Sequence, residues 1–61
     1  MAKLDFGDSV IDFSGRIDEA VRASGRHVDA YVYLVGGRPV PSDSVPLPDA
    51  VVVAFRVASG G

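Results

Sequence analysis

Residues 31–41 read YVYLVGGRPVP, and this stretch decides the fold because it encodes two strands and the turn between them. Its first part, YVYLV, consists of β-branched, aromatic and aliphatic residues, which favour a strand. Gly36 and Gly37 supply the positive-φ pair of a tight hairpin turn. The returning segment carries Pro39 and Pro41, whose missing N–H groups lie on the same side of the chain. Only an edge strand tolerates this arrangement, so we predict a hairpin whose second strand lies at a sheet edge.

The residues before this hairpin predict a second hairpin. Residues 2–6, AKLDF, alternate between apolar and polar side chains, which indicates a half-buried strand. Gly7–Asp8 forms a tight turn, and residues 9–13, SVIDF, return as a second strand.

A helix is predicted over residues 15–24, GRIDEAVRAS. Ser14 can cap it by accepting a hydrogen bond from a free N–H in the first turn, and Gly25 is expected to follow its last turn. The apolar residues fall at i, i+3 and i+4 and form one buried stripe: Ile17, Ala20 and Val21. Acidic residues come early and a basic residue late, as the helix dipole favours: Asp18, Glu19 and Arg22.

The last strand is predicted over residues 50–58, AVVVAFRVA, after a compact loop over residues 42–49. The element order is then ββαββ-loop-β, and a short helix needs a sheet to pack against. We therefore predict an α+β fold, with one helix across a mixed sheet. The two apolar strands belong in the middle of the sheet and the proline strand at an edge, which is a β-grasp arrangement.

The composition of the chain argues against several classes of function. The chain has 61 residues, no cysteine, a net charge of −2 and a pI near 4.9. A core this small encloses no deep catalytic cavity, so we expect no enzyme and no cofactor. The acidic balance argues against nucleic acid and anionic membranes as partners. His27 and Asp29 lack a third metal ligand at useful spacing. With no signal peptide or membrane-spanning run, we expect a cytoplasmic monomer.

Residues 35–45, VGGRPVPSDSV, and 51–61, VVVAFRVASGG, resemble the ubiquitin-like β-grasp proteins, and most closely the small archaeal modifier proteins. In that group a GRPVP hairpin turn precedes a hydrophobic last strand and a terminal Gly-Gly. The end of the chain is also similar to thiamine sulfur carriers and to the small subunit of molybdopterin synthase. The turn in residues 4–8, LDFGD, resembles the thiamine carriers too. In element order the resemblance covers essentially the whole chain.

The resemblance implies chemistry at Gly61. An activating enzyme would use ATP to adenylate the C-terminal carboxylate, which then becomes a thiocarboxylate or is joined to a lysine of a target protein by an isopeptide bond. Residues 1–57 would form the β-grasp domain, and residues 58–61 a flexible tail in which Gly60 and Gly61 thread a narrow channel. A dedicated sulfur carrier for thiamine or molybdopterin biosynthesis is the alternative. Another is a β-grasp interaction module whose Gly-Gly is incidental.

The resemblance also implies a partner-binding surface. The family alignment and the residue pattern of the last strand disagree on which face of that strand is exposed. Pattern alone turns Arg56 outward together with Val52 and Ala54. Alignment with the family, counted back from Gly-Gly, buries Val52 and Ala54 instead. The surface so implied comprises Leu34, Val53, Phe55, Arg56 and Ser59. The corresponding core is Leu4, Phe6, Phe13, Ile17, Val21, Tyr33, Val35 and Val52. Phe55 as an ordinary core residue remains the alternative.

Charged residues complete the set of candidates. Arg56, and with less reason Arg38, could pair with acidic groups on an activating enzyme. Lys3 is the only lysine, so if the protein forms chains on itself, only Lys3 or the N-terminal amine can accept.

Overall fold

The structure, a computed structural model, describes residues 1–57, which fold into one layer of sheet and one layer of helix. The helical elements are α1 (Ile17–Ala23) and a short 3₁₀ helix (Val28–Ala30). The strands are β1 (Ala2–Asp5), β2 (Val10–Phe13), β3 (Tyr31–Val35), β4 (Arg38–Val40) and β5 (Val51–Arg56). Within residues 1–57, neither helix is long and apolar enough to cross a membrane.

The five strands form one mixed sheet in the order β2-β1-β5-β3-β4. Among the strand pairs of residues 1–57, only β1–β5 is parallel, and it places Leu4 opposite Val52. The predicted α+β class and mixed sheet are confirmed, and so is the edge position of the strand that contains Pro39. The turn between β3 and β4 has the predicted positive φ angles, +59° at Gly36 and +79° at Gly37.

The core lies between α1 and one face of the sheet. Its fully buried side chains come from the two central strands and from the helix: Leu4, Val52, Ile17 and Val21. Seven of the eight predicted core residues are buried, and Val35 is half-buried and packs against them. The alternation in β1 is also confirmed, since Ala2, Leu4 and Phe6 are buried whereas Lys3 is exposed.

The start of the helix differs from the prediction. α1 begins at Ile17 rather than at residue 15, its N-cap is Arg16, and no side chain caps it. Two free N–H groups are instead satisfied by the backbone of the loop between β4 and β5: the N–H of Ile17 donates to the carbonyl of Ser44 (3.1 Å), and that of Asp18 to the carbonyl of Ser42 (2.8 Å). The predicted cap at Ser14 was wrong because carbonyls from a distant loop fulfil that role.

The end of the helix agrees with the prediction. Gly25 follows the C-cap with a φ of +81°, a conformation that residues with a Cβ rarely adopt. Its N–H donates to the carbonyl of Arg22 (2.9 Å), and the N–H of Arg26 donates to the carbonyl of Val21 (3.1 Å). This pair of bonds is the Schellman motif, which satisfies the last carbonyls of the helix.

Asp18 is a buried carboxylate, although it does not belong to the apolar stripe predicted for the helix. It is 4% exposed and lies on the helix one residue after the buried Ile17. Its Oδ2 accepts a hydrogen bond from Nη2 of Arg16 at 2.6 Å, and Nη2 of Arg22 lies 3.6 Å from the same oxygen. The Arg16 hydrogen bond lowers the pKa of Asp18 below its usual value, against the opposing effect of burial.

Because the pKa of Asp18 is lowered in the folded protein, we expect the stability of the fold to decrease at acid pH. Because its pKa is lowered in the folded protein, Asp18 stabilises the fold fully above the unfolded-state pKa of about 3.9, and that contribution is lost as the pH falls through the lower, folded-state value. In urea unfolding at pH 7, 5 and 3, we expect Asp18→Asn to be less stable than wild type at pH 7. The difference should shrink at pH 3. Asp49→Asn, at an exposed loop position, is the control and should follow wild type throughout.

Candidate partner-binding face of the sheet

The face of the sheet opposite α1 carries a group of apolar side chains that no described element covers. β5 alternates across the sheet, so that Val52 and Ala54 are buried (0% and 3% exposed) while Val53 and Phe55 are exposed (39% and 65%). This orientation confirms the assignment that the resemblance implied, and it excludes Phe55 from the core.

Register brings the exposed Val53 and Phe55 of β5 together with two side chains of β3, the exposed Val32 and the half-buried Leu34. Leu34 lies directly opposite Val53, and Val32 lies directly opposite Phe55. Opposite residues in an antiparallel pair share one face and contact each other. We call the group formed by Val32, Leu34, Val51, Val53 and Phe55 the open-face patch. Contiguous apolar surface of this kind marks binding sites on proteins.

Two members of the patch, Val32 and Val51, were missing from the predicted surface. They are 42% and 50% exposed. The alternation of YVYLV contained the signal for Val32, since it shares a strand face with Leu34. For Val51 the signal was its spacing of two residues from Val53.

Charged residues border the patch on the side of β1 and β2. Lys3 lies opposite Val51 on one side and opposite Asp12 on the other. Its Nζ donates a hydrogen bond of 2.7 Å to the Asp12 carboxylate, and both side chains are more than half exposed. The Lys3 hydrogen bond lowers the pKa of Asp12. The predicted acceptor lysine is therefore accessible, and it is held in an ion pair beside the patch.

Arg56 does not share a face with Leu34, Val53 and Phe55. It follows Phe55 on β5 and lies opposite Tyr31, so alternation directs it to the side of the sheet that carries the helix. It is exposed there because it lies at the end of the strand. Arg38 is exposed as well. Ser59, Gly60 and Gly61 lie outside the described residues.

A side-chain network holds the end of the sheet at which β5 finishes. Arg26 stacks on the ring of Phe6, 4.1 Å from its centroid, and donates hydrogen bonds to Oη of Tyr31 (2.9 Å) and to Asp8 (3.0 Å). The Arg26 hydrogen bond lowers the pKa of Asp8. Beside this network the N–H of Val57 donates to the carbonyl of Ala30 at 2.9 Å. The residue that follows β5 is thus hydrogen-bonded to the end of the 3₁₀ helix.

Within residues 1–57, no group of three His, Asp or Glu side chains is placed to hold a metal ion. Burial raises the pKa of Tyr33, whose hydroxyl donates a hydrogen bond to the carbonyl of Val28 at 2.7 Å. No protein-family model matches the chain, and comparison with curated proteins finds no similar sequence.

Proposed function

We propose that this protein is a ubiquitin-like modifier or sulfur carrier, with a β-grasp fold, that an activating enzyme adenylates at Gly61. The strand order, with the helix following the second strand, is compatible with a β-grasp. The observation that carries the proposal concerns β5. This strand bears Val53 and Phe55 on the open-face patch, and its sequence continues directly to Gly60–Gly61. A docking surface and a reactive carboxylate would therefore lie on one continuous segment.

The proposed chemistry needs a carboxylate without neighbouring side chains. The Gly61 carboxylate attacks the α-phosphate of ATP, which gives an acyl-adenylate and releases pyrophosphate. Either a sulfur nucleophile then displaces AMP and leaves a thiocarboxylate, or a lysine amine of a target becomes acylated and forms an isopeptide bond. Glycine is suited to the last two positions because a Cβ would obstruct a narrow channel to the ATP site.

In this chemistry the activating enzyme and the present chain have different roles. The activating enzyme supplies ATP and the catalytic groups, and the present chain serves as substrate and carrier, not as an enzyme. Its further partners are target-protein lysines or a sulfur-accepting biosynthetic enzyme. A dedicated carrier for thiamine or molybdopterin biosynthesis would form a stable complex with one pathway enzyme and would leave no conjugates on lysines.

An intact-mass measurement tests the proposal. The protein is incubated with ATP, a sulfide source and the adenylating enzyme of its host. We expect a product heavier by the difference between one sulfur and one oxygen atom, or host peptides that carry a Gly-Gly remnant on lysine. If an active enzyme yields neither product and no adenylate, the proposal is wrong. An open-face patch that still binds a partner would then indicate a β-grasp interaction module.

If the activating enzyme binds the open-face patch, replacing a side chain of the patch should slow activation. Phe55→Ser removes the largest exposed apolar side chain of the patch, and a central aromatic anchor contributes about 2 kcal/mol or more to an interface. We therefore expect kcat/KM for ATP–pyrophosphate exchange on this substrate to fall about 30-fold. Leu47→Ser, which changes a loop residue that is 73% exposed, is the control and should leave the rate unchanged. Equal rates for wild type and Phe55→Ser would show that activation does not use the patch.

A further inference from the structure

Three segments of the chain meet near the end of β5, and Arg26 joins them. It follows the end of α1, and its guanidinium lies over the ring of Phe6. Nη2 donates to Oδ1 of Asp8 (3.0 Å) and to Oγ of Ser9 (3.1 Å), while Nη1 donates to Oη of Tyr31 (2.9 Å). A single side chain thus links the helix, the first hairpin and the start of β3. We call these five residues the Arg26 network.

Tyr31 connects the Arg26 network to the end of β5. It lies opposite Arg56, in the last pair that β3 and β5 make within residues 1–57. Its ring also contacts the ring of Phe6 edge-on, with the two centroids 5.4 Å apart. The residue before Tyr31 is Ala30, whose carbonyl accepts the hydrogen bond from the N–H of Val57 at 2.9 Å. The partners of residues 56 and 57 are therefore a member of the network and its immediate neighbour.

The hydrogen bond of Val57 depends on support of this kind. The ends of secondary-structure elements open most easily, because few contacts hold them. Val57 is 45% exposed, so burial of its side chain contributes little. The Arg26 side chain is only 27% exposed, and its hydrogen bonds are charge-assisted, which makes them stronger than bonds between neutral groups. How long Val57 stays bonded to Ala30 therefore depends on how firmly the Arg26 network holds the start of β3.

We propose that Arg26 is a positioning residue for activation, which holds the end of β5 in place and so raises the affinity of the activating enzyme for this chain. The role in activation rests on the proposed function. An enzyme docked on the open-face patch must receive Gly61 from the same strand. If residues 56 and 57 are released, they must be ordered again on binding, which costs conformational entropy. The enzyme therefore binds the form in which Val57 is bonded to Ala30, and KM rises as the fraction of that form falls.

The first measurement needs no enzyme. Exchange of the Val57 N–H with solvent is followed by NMR in the ¹⁵N-labelled full chain. Arg26→Met keeps an apolar stem but removes the charge and the hydrogen bonds, so it should speed this exchange about fivefold. Tyr31→Phe removes only the hydroxyl that accepts from Nη1, so the fold should persist and the exchange should be about twofold faster. The N–H of Asp18, which bonds to the carbonyl of Ser42, reports on general unfolding and should exchange as in wild type.

The second measurement is steady-state ATP–pyrophosphate exchange with the adenylating enzyme of the host. Arg26→Met should raise the KM for this substrate about threefold. It should leave kcat unchanged, because the complex is the same once it has formed. Arg22→Met is the control, since it makes the same chemical change one turn earlier on α1, at a side chain that is 61% exposed. It should match wild type both in KM and in the exchange of the Val57 N–H.

The two measurements separate a failure of this inference from a failure of the proposed function. Unchanged Val57 exchange in Arg26→Met and Tyr31→Phe would overturn the inference, because the Arg26 network would then not hold the end of β5. Faster exchange without a rise in KM, or with a loss confined to kcat, would overturn the positioning role while the proposed function stands. If wild type is not adenylated, the proposed function is wrong and so is the role in activation. The exchange rates then still decide whether Arg26 holds Val57 in place.

Discussion

Replacing Leu4 by alanine is expected to lower the free energy of unfolding by about 3 kcal/mol. Leu4 is fully buried on β1, opposite Val52 in the parallel pair and within the core formed with α1. The substitution removes apolar contacts and leaves a cavity that the surrounding structure fills only in part. A domain of this size is stabilised by only about 3–9 kcal/mol in total. The variant should therefore keep only about 0–6 kcal/mol of stability and unfold at a clearly lower urea concentration than wild type.

Leu47→Ala is the matched control, because it makes the same chemical change at a side chain that is 73% exposed. Its effect should stay within about 0.5 kcal/mol. Urea denaturation followed by circular dichroism measures both variants. Similar losses at the two positions would mean that Leu4 does not occupy the tightly packed core described above.

The second large effect is expected at Gly60, and it rests on the proposed function. Gly60→Val should abolish adenylation, because a β-branched side chain beside the reactive carboxylate would block a channel shaped for glycine. The fold should be unaffected, since the buried apolar core that the structure describes within residues 1–57 ends at Ala54. ATP–pyrophosphate exchange and a urea titration on the same sample separate the two effects.

Ala58→Ser is the control for this substitution, because it changes the same segment without adding a β-branched side chain. It should be adenylated as wild type is. If Gly60→Val is also adenylated at the wild-type rate, glycine has no special role there and the proposed function loses its main support.

Local patterns were sufficient to predict most of the fold. The alternation of residues 2–6 predicted which side of β1 is buried, because only one face of that strand meets the helix. Pro39 predicted an edge strand, because a proline cannot donate to a neighbour. Gly36–Gly37 and Gly25 predicted the turn and the helix end, because each position requires positive φ.

The start of the helix could not be predicted from local sequence. Ser14 had a suitable side chain, but the N–H groups of Ile17 and Asp18 bond to carbonyls of Ser44 and Ser42. These partners are backbone groups of a distant loop, and backbone groups carry no sequence signature. The burial of Asp18 has a similar origin, since its environment depends on how the folded chain packs around the helix.

The exposed face of β5 was the hardest feature to predict. The run VVVAF contains no polar residue to distinguish the two faces, and Arg56 indicated the wrong one. Arg56 shares its face with Ala54, which is buried, yet it is exposed because it lies at the end of the strand. Counting back from Gly-Gly by resemblance gave the orientation of Val53 and Phe55 that the structure has.

The parallel pair of β1 and β5 also governs how the chain can fold. Leu4 meets Val52, so the centre of the sheet joins segments from opposite ends of the described sequence. Closing so long a loop costs entropy before any contact repays it, and folding dominated by distant contacts is slow. During synthesis the first hairpin and the helix cannot complete their core until residues 51–56 have emerged. Their apolar faces stay uncovered until then. We therefore expect folding of this domain to be a late, all-or-none event rather than a stepwise one.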